Sequence, residues 1–242
     1  MKYKTIITKT PLRISFVGGG TDFIDFYKKN NGEVFSGAIN KYMYLFVNRY
    51  FDKEKCLLKY SKTELIKNLK DVKHPLIRNS LKLTKLWGLD INSVSDVASG
   101  TGLASSSAFT VGLLNALYSI NGQNKSNNFL AKNACDVEIK MTGSPIGKQD
   151  QFISSYGGVN HIKFLKNDSV IVKKFNNKKI LDEFQKNLIL LDTGVYMSNK
   201  KILSSFMNNI KKKRKNYSDL LEIKKLASLF KHNLMLKDFK SC

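Results

Sequence analysis

Three stretches of this chain place small, hydroxylic and charged residues at spacings that could do chemistry. The most distinctive is Ala98-Ser-Gly-Thr-Gly-Leu-Ala-Ser-Ser-Ser-Ala108. Its glycines let the backbone approach a ligand closely, and the free N–H groups at the start of a following helix make an anion site with a favourable dipole. Ser105, Ser106 and Ser107 add hydroxyls for phosphate oxygens or a metal. The loop lacks the lysine of a Walker A sequence. Taken alone it is either a phosphate-binding loop or a serine-capped helix after a turn. The second stretch, Thr10–Asp22, sets Arg13 in an otherwise apolar strand and Asp22 on a glycine-rich loop. Such an arginine needs a partner, and a buried ion pair explains it as well as a functional role does. The third stretch, Glu138–Ile153, holds two carboxylates twelve positions apart, Glu138 near the end of one helix and Asp150 at the start of the next. A carboxylate at a helix start is commonly a cap, and one near a helix end is commonly exposed. Lys148 reads equally well as a group that screens a phosphate and as a solvated lysine.

Hydrophobic periodicity gives the elements that must position these residues. Strands are predicted over Lys4–Phe16 and Lys41–Tyr50, with a short helix through Phe23, Phe26 and Tyr27 between them. Helices are predicted over Ser61–Leu69 and His74–Trp87, the latter started by Pro75 and stopped by Gly88. A strand over Ile91–Val97 leads into the Ser99–Ser105 loop. The helix after it is apolar nearly all round, from Ala108 to Ile120, and should lie deep in a core. Ser126 caps a helix running to about Met141. A turn over Thr142–Gln151 leads to a short helix ending at Gly157-Gly158. Strands then follow over Val159–Leu165, Ser169–Phe175 and Leu188–Leu191. Helices are predicted over Ser198–Lys215 and Ser218–Phe230, with Asn233–Cys242 helical and uncapped. The fold class is mixed α+β, with a second domain opening near residue 185.

On these residues the chain resembles the GHMP kinases. The Ala98–Ala108 loop is similar to the family's second motif, with Ala98 in place of the usual proline and Ala104 in place of a glycine or serine. Ala104 brings a methyl close to the phosphates and requires an ordinary backbone conformation. The Thr10–Asp22 stretch resembles the first motif. Its Gly18-Gly19-Gly20-Thr21-Asp22 ending, with Gly147-Lys-Gln-Asp-Gln-Phe152, is similar to the branch holding heptose 7-phosphate kinases and fucose kinases. The twelve-residue spacing of Glu138 and Asp150 matches galactokinase-like sequences.

The resemblance implies a GHMP kinase fold: an N-terminal ribosomal-protein-S5-domain-2-like domain over residues 1–184, then the start of a ferredoxin-like C-terminal domain over 185–242. It implies transfer of the γ-phosphoryl group of ATP to a sugar or sugar phosphate, with heptose 7-phosphate at O1 first and fucose or another hexose next. A non-catalytic nucleotide- or sugar-phosphate-binding remnant is the alternative. ATP and Mg²⁺ are the implied cofactors. Ser99, Gly100, Thr101, Gly102, Leu103, Ala104, Ser105, Ser106 and Ser107 would bind the nucleotide, and Ser106 and Glu138 the metal. Asp150 would act on the acceptor hydroxyl with Arg13 beside it, while Gly19, Gly20, Thr21, Asp22 and Asp150 would contact the sugar. The family's glycine-rich third motif has no counterpart after Gly194. On this reading the chain covers part of the enzyme and is C-terminally truncated.

Composition narrows the alternatives. A chain of 242 residues with 42% apolar residues can bury a core, and no apolar run approaches the length of a membrane span. The N-terminus lacks the pattern of a secretory signal, and Cys56, Cys135 and Cys242 are scattered without metal or disulfide spacing, so a cytoplasmic protein is expected. The net charge of +22 comes almost wholly from lysine, Arg13, Arg49, Arg78 and Arg214 being the arginines. Nucleic-acid binders favour arginine interleaved with aromatics. The Lys211–Lys215 run is instead read as a solvated helix face, and the charge as an attraction for phosphorylated substrates. No nucleic-acid or membrane partner is expected; a homo-oligomer is compatible with the sequence.

Overall fold

The structure, a computed structural model, describes residues 5–191, 194, 200–211 and 216–242. They form two compact units, one of Met1–Leu12, Ile39–Ser144 and Asp150–Tyr156, the other of Arg13–Ala38, Pro145–Gln149 and Gly157–Cys242. Two strands, β1 (Ile6–Val17) and β2 (Gly32–Arg49), contribute residues to both.

In the first unit the later half of β2 runs antiparallel to β5 (Leu89–Ser95), from Met43↔Ser95 to Arg49↔Leu89. Strand β3 (Cys56–Lys59) lies parallel to β5 and antiparallel to β4 (Thr63–Ile66). Leu45, Val47, Leu58 and Ile91 of these strands pack against α2 (Pro75–Thr84) and α3 (Ser105–Ile120). Helix α2 starts as its sequence requires: Pro75 needs no N–H donor there, and His74 accepts from the Ile77 N–H at 3.4 Å. Helix α3 is buried on almost every side, as its all-round apolar sequence predicts. Ser126 caps α4 (Asn127–Cys135), accepting from the Phe129 N–H at 3.3 Å. The chain then continues to Met141 as a π-helical turn, Asp136–Met141.

In the second unit the first half of β2 pairs antiparallel with β6 (Val159–Phe164), which pairs with β7 (Val170–Lys174). Helices α6 (Lys178–Gln185) and α8 (Asn216–Leu236) close an aromatic cluster of Phe35, Phe184 and Phe230. Helices α1 (Ile24–Asn30), α7 (Lys200–Lys211) and α8 share a second cluster, of Phe23, Phe26, Ile210 and Leu220.

Several sequence expectations are corrected. Residues 61–69 are not a helix: Leu65 and Leu69 imitate helical spacing, but Thr63–Ile66 pairs with β3 as an edge strand, and buried Glu64 accepts from Tyr60 Oη and the Lys73 N–H. Strand β2 begins nine residues before the predicted Lys41, at Gly32. Its first six residues are all buried and so show no alternation. Leu188–Leu191 is unpaired and exposed, with Ile189 at 85%. Helix α6 goes unpredicted although Asn177 caps it and Ile180 and Phe184 form its buried stripe. Helix α8 ends at Leu236, where Lys237 turns left-handed and the Asp238 N–H reaches the Asn233 carbonyl at 3.0 Å. Residues 198, 199 and 212–215 of the predicted Ser198–Lys215 helix lie outside the described residues.

Close helix–strand approach in the first unit depends on Gly112. A Cβ there would stand 2.6 Å from Thr10 Oγ1 and 3.0 Å from Leu45 Cδ1. Gly112→Ala should therefore destabilise the protein by about 1–3 kcal/mol, read as a lower denaturation midpoint in urea.

Candidate active site

The first unit holds the serine loop, Glu138 and Asp150. Gly100 and Gly102 take positive φ, and a Cβ at Gly102 would meet nothing within 4 Å. Ser99–Leu103 thus forms an open turn before α3. Side chains cap α2, α4 and α6, but none caps α3. Its first-turn N–H groups point out of a sixteen-residue helix with no side-chain acceptor, the arrangement that favours an anion. The serines face a different group. Ser106 Oγ and Ser107 Oγ both donate to Glu138 Oε2, at 3.1 and 3.2 Å, and Gln151 Nε2 donates to Oε1 at 3.1 Å. Cys135 Sγ in turn donates to Gln151 Oε1 at 3.7 Å.

Glu138 is 1% exposed, and the π-helical turn brings it there. The turn's wide hydrogen bond, from the Thr142 N–H to the Val137 carbonyl, is fixed by Thr142 Oγ1 on the same carbonyl and by Asn79 Nδ2 on Thr142. Burial raises the Glu138 pKa and the Asp150 charge adds to it; the Ser107, Gln151 and Ser106 hydrogen bonds pull the other way, leaving it at about 7. The partners around this carboxylate are neutral hydroxyls and an amide, so its charge is stabilised by dipoles alone.

Ala104 departs from the conformation expected of it. Its φ of +62° and ψ of +33° are left-handed, a region that costs a residue with a Cβ roughly 1–2 kcal/mol. The chain turns sharply there to enter α3, which is the position at which the resemblance carries glycine or serine.

The second unit holds Arg13 and the triple-glycine loop. Arg13 is half-buried in β1. Asp22 is buried, with Oδ1 accepting from the Gly20 N–H at 3.1 Å and Oδ2 from the Gln149 N–H at 2.9 Å. A Cβ at Gly147 would run into the Asp22 carboxylate, so this close approach requires the glycine. Thr21 is wholly buried; its hydroxyl lies 2.7 Å from the Gly18 carbonyl and accepts from the Glu33 N–H at 3.0 Å. Gly19 and Gly20 remain half-exposed beside it. Lys148 is committed within the unit: its Nζ lies 2.6 Å from Asp168 Oδ1 and 4.9 Å from the Tyr27 ring centre, and Tyr27 Oη also donates to Asp168.

Sequence reasoning missed Gln149 and Gln151. Gln149 accepts from Ser15 Oγ at 2.9 Å and Ser36 Oγ at 3.2 Å while its N–H meets Asp22. The signal was their place on either side of Asp150 in Gly-Lys-Gln-Asp-Gln. Asp150 itself sits in the first turn of α5 (Gln149–Tyr156), directly after the residue that Asp22 holds.

Glu138→Gln removes the buried charge and keeps the shape. A carboxyl whose folded pKa of about 7 exceeds its ordinary 4.5 costs stability progressively as pH rises between those values. The variant should therefore gain on the native chain by up to about 3 kcal/mol between pH ~4.5 and ~8, measured by urea denaturation across pH. Ala104→Gly should stabilise by roughly 0.5–1 kcal/mol, strain relief outweighing the added freedom of the unfolded chain, and a raised Tm reads it out.

Residues 69–158, which include Ser106, Glu138 and Asp150, match the GHMP kinases N terminal domain. The chain is 28% identical over 207 residues to a D-glycero-alpha-D-manno-heptose 7-phosphate kinase of Campylobacter jejuni, covering 79% of this chain and 60% of that protein. It is 30% identical over 175 residues to a galactokinase of Pyrococcus furiosus, covering 66% and 46%. It thus spans less than two thirds of the length of these curated relatives. Among solved structures it resembles a D-glycero-D-manno-heptose 1-phosphate kinase from Bacteriodes thetaiotaomicron, with a TM-score of 0.68 at 22% identity over 86% of this chain and 74% of that one. The chain has the GHMP kinase fold and carries a GHMP kinase N-terminal domain.

Proposed function

We propose that this chain is the catalytic part of an ATP-dependent kinase that phosphorylates the hydroxyl of a sugar or sugar phosphate, D-glycero-D-manno-heptose 7-phosphate at O1 being the first candidate. The observation that carries this reading is the buried Glu138 carboxylate, held by two serines at the open start of an uncapped helix. The similarity to the Campylobacter jejuni kinase supports the choice of sugar. The similarity to galactokinases supports another hexose as the second choice. Residues 1–184 are assigned to the nucleotide- and substrate-binding domain and 185–242 to a second one; the stretch matched to the family lies inside the former. A cytoplasmic setting accords with this substrate class, and no described helix is long and apolar enough to cross a membrane.

ATP phosphates are assigned to the Ser99–Ser107 loop and the N–H groups of α3. Mg²⁺ fits the oxygen donors of Ser106 and Glu138, a hard set whose buried carboxylate has no cationic neighbour among its named partners. No cluster of three or more His, Cys, Asp or Glu side chains exists among the described residues, so phosphate oxygens would complete the coordination. The metal supplies charge neutralisation on the transferring group. Asp150 orients the acceptor hydroxyl and takes its proton, and Arg13 is assigned the positive charge that steadies the transfer. Asp22, with Gly19 and Gly20, is assigned to the sugar hydroxyls; Thr21 holds their loop.

The reading is tested by ADP release with ATP, Mg²⁺ and a panel of sugars and sugar phosphates. Turnover should follow one heptose or hexose phosphate and fall about 10²–10⁴-fold in Asp150→Asn with little change in KM. Near-normal turnover in that variant would remove Asp150 from the mechanism. ATP binding without turnover on any acceptor would favour a nucleotide-binding remnant.

A further inference from the structure

The three motifs leave unused a polar patch on the face that α8 covers in the second unit. Its rungs run Phe35–His161–Lys173 and Glu33–Lys163–Ile171 across β2, β6 and β7. Neighbouring rungs two residues apart share a face, so all six side chains point the same way. Phe35 does what such a face predicts, packing on Phe230 with ring centres 5.2 Å apart. Glu33, beside it, does not. It is buried, with Oε1 2.6 Å from His161 Nε2 and also accepting from Ser228 Oγ, while Oε2 lies 3.2 Å from Lys163 Nζ. Burial acts to raise its pKa, but the His161 and Ser228 hydrogen bonds and the His161 and Lys163 charges bring it down to about 2. An apolar residue would have filled this place at less desolvation cost.

A cavity of about 280 Å³ opens over this network, lined by His161, Lys163, Lys173, Ser228, Lys231 and His232, with Met235 at its edge. The Lys173, Lys231 and His232 side chains form no hydrogen bond or ion pair with the described residues. His161 is only 4% exposed, and its Nδ1 is buried without a partner. Glu33 already has three partners, so the lining keeps a net positive charge.

We infer that this cavity is an anion site that takes the phosphate group of a small phosphorylated metabolite, between His161 at its floor and Lys173 and Lys231 at its rim. Glu33 holds the His161 ring at the floor of the cavity through Nε2, at 2.6 Å. Lys173 and Lys231 supply two charge-assisted donors. None of the residues assigned to phosphoryl transfer takes part, so the site would answer to a metabolite other than the nucleotide.

The chain has three histidines, His74, His161 and His232, which makes imidazole NMR a direct readout. Inorganic phosphate and a hexose 6-phosphate are titrated separately into the full chain, with potassium chloride at matched ionic strength as control. The His161 ring resonances should shift saturably with phosphate and not with chloride. Lys173→Gln combined with Lys231→Gln, both at solvent-reachable positions, should weaken that binding at least about tenfold and leave ATP binding unchanged. Tighter binding of the hexose phosphate identifies an ester ligand, and equal binding identifies free phosphate; both support the site. Shifts that follow ionic strength alone, or a double variant that binds phosphate as tightly as the native chain, would overturn it.

Discussion

A carboxylate with no cation among its named partners organises the first unit. Glu138 binds the start of α3 through Ser106 and Ser107 and the middle of α5 through Gln151. Burying such a charge is costly, and hydrogen bonds from neutral donors recover only part of the cost. The pKa of about 7 is the residue of that contest: burial and the Asp150 charge on one side, three donors on the other. Geometry follows from the same contest. A regular helix through Asp136–Met141 would place its side chains on a different period, and the π-helical turn is what delivers Glu138 to the serines. Such turns cost helix stability and persist where a function holds them.

In the second unit Asp22 plays the corresponding part with backbone partners. It collects N–H groups from Gly20 and from Gln149, residues far apart in sequence, and Gly147 is bare so that the carboxylate can come this close. The motif Gly-Lys-Gln-Asp-Gln is therefore two structures in one. Gly147, Lys148 and Gln149 serve the Asp22 loop, through a close approach, the Asp168 ion pair and the Ser15 and Ser36 hydroxyls. Gln151 donates its amide to Glu138, while the Asp150 charge opposes that carboxylate's ionisation. Five consecutive residues cannot vary independently when together they surround two buried carboxylates.

Much of this was legible in the chain alone, for identifiable reasons. The serine loop, the deep helix after it and the Ser126 cap each have a local signature, and each lies where periodicity and capping put it. The misread elements lack one. The start of β2 is covered on both faces and so shows no alternation, while β4 carries leucines at helical spacing on an edge strand. At the site, the motifs pointed to Glu138 and Asp22 but not to what they touch, because Ser107, Gln149 and Gln151 act over separations of 13 to 127 residues. Ala104 was misjudged for a different reason: its left-handed backbone is imposed by the turn into α3, not chosen by the residue.

That strain and the missing cap stand on one side of a balance that α3 decides. A left-handed alanine costs roughly 1–2 kcal/mol and an absent cap about 1 kcal/mol more. Against them, Leu113, Leu114 and Leu117 are fully buried, each contributing about 1.5–3 kcal/mol relative to exposure. A helix so firmly held by its flanks does not need its N-terminus satisfied from within. Its all-round apolarity and its open serine loop are thus one feature: the core packing of the former lets the latter keep its N–H groups for a ligand.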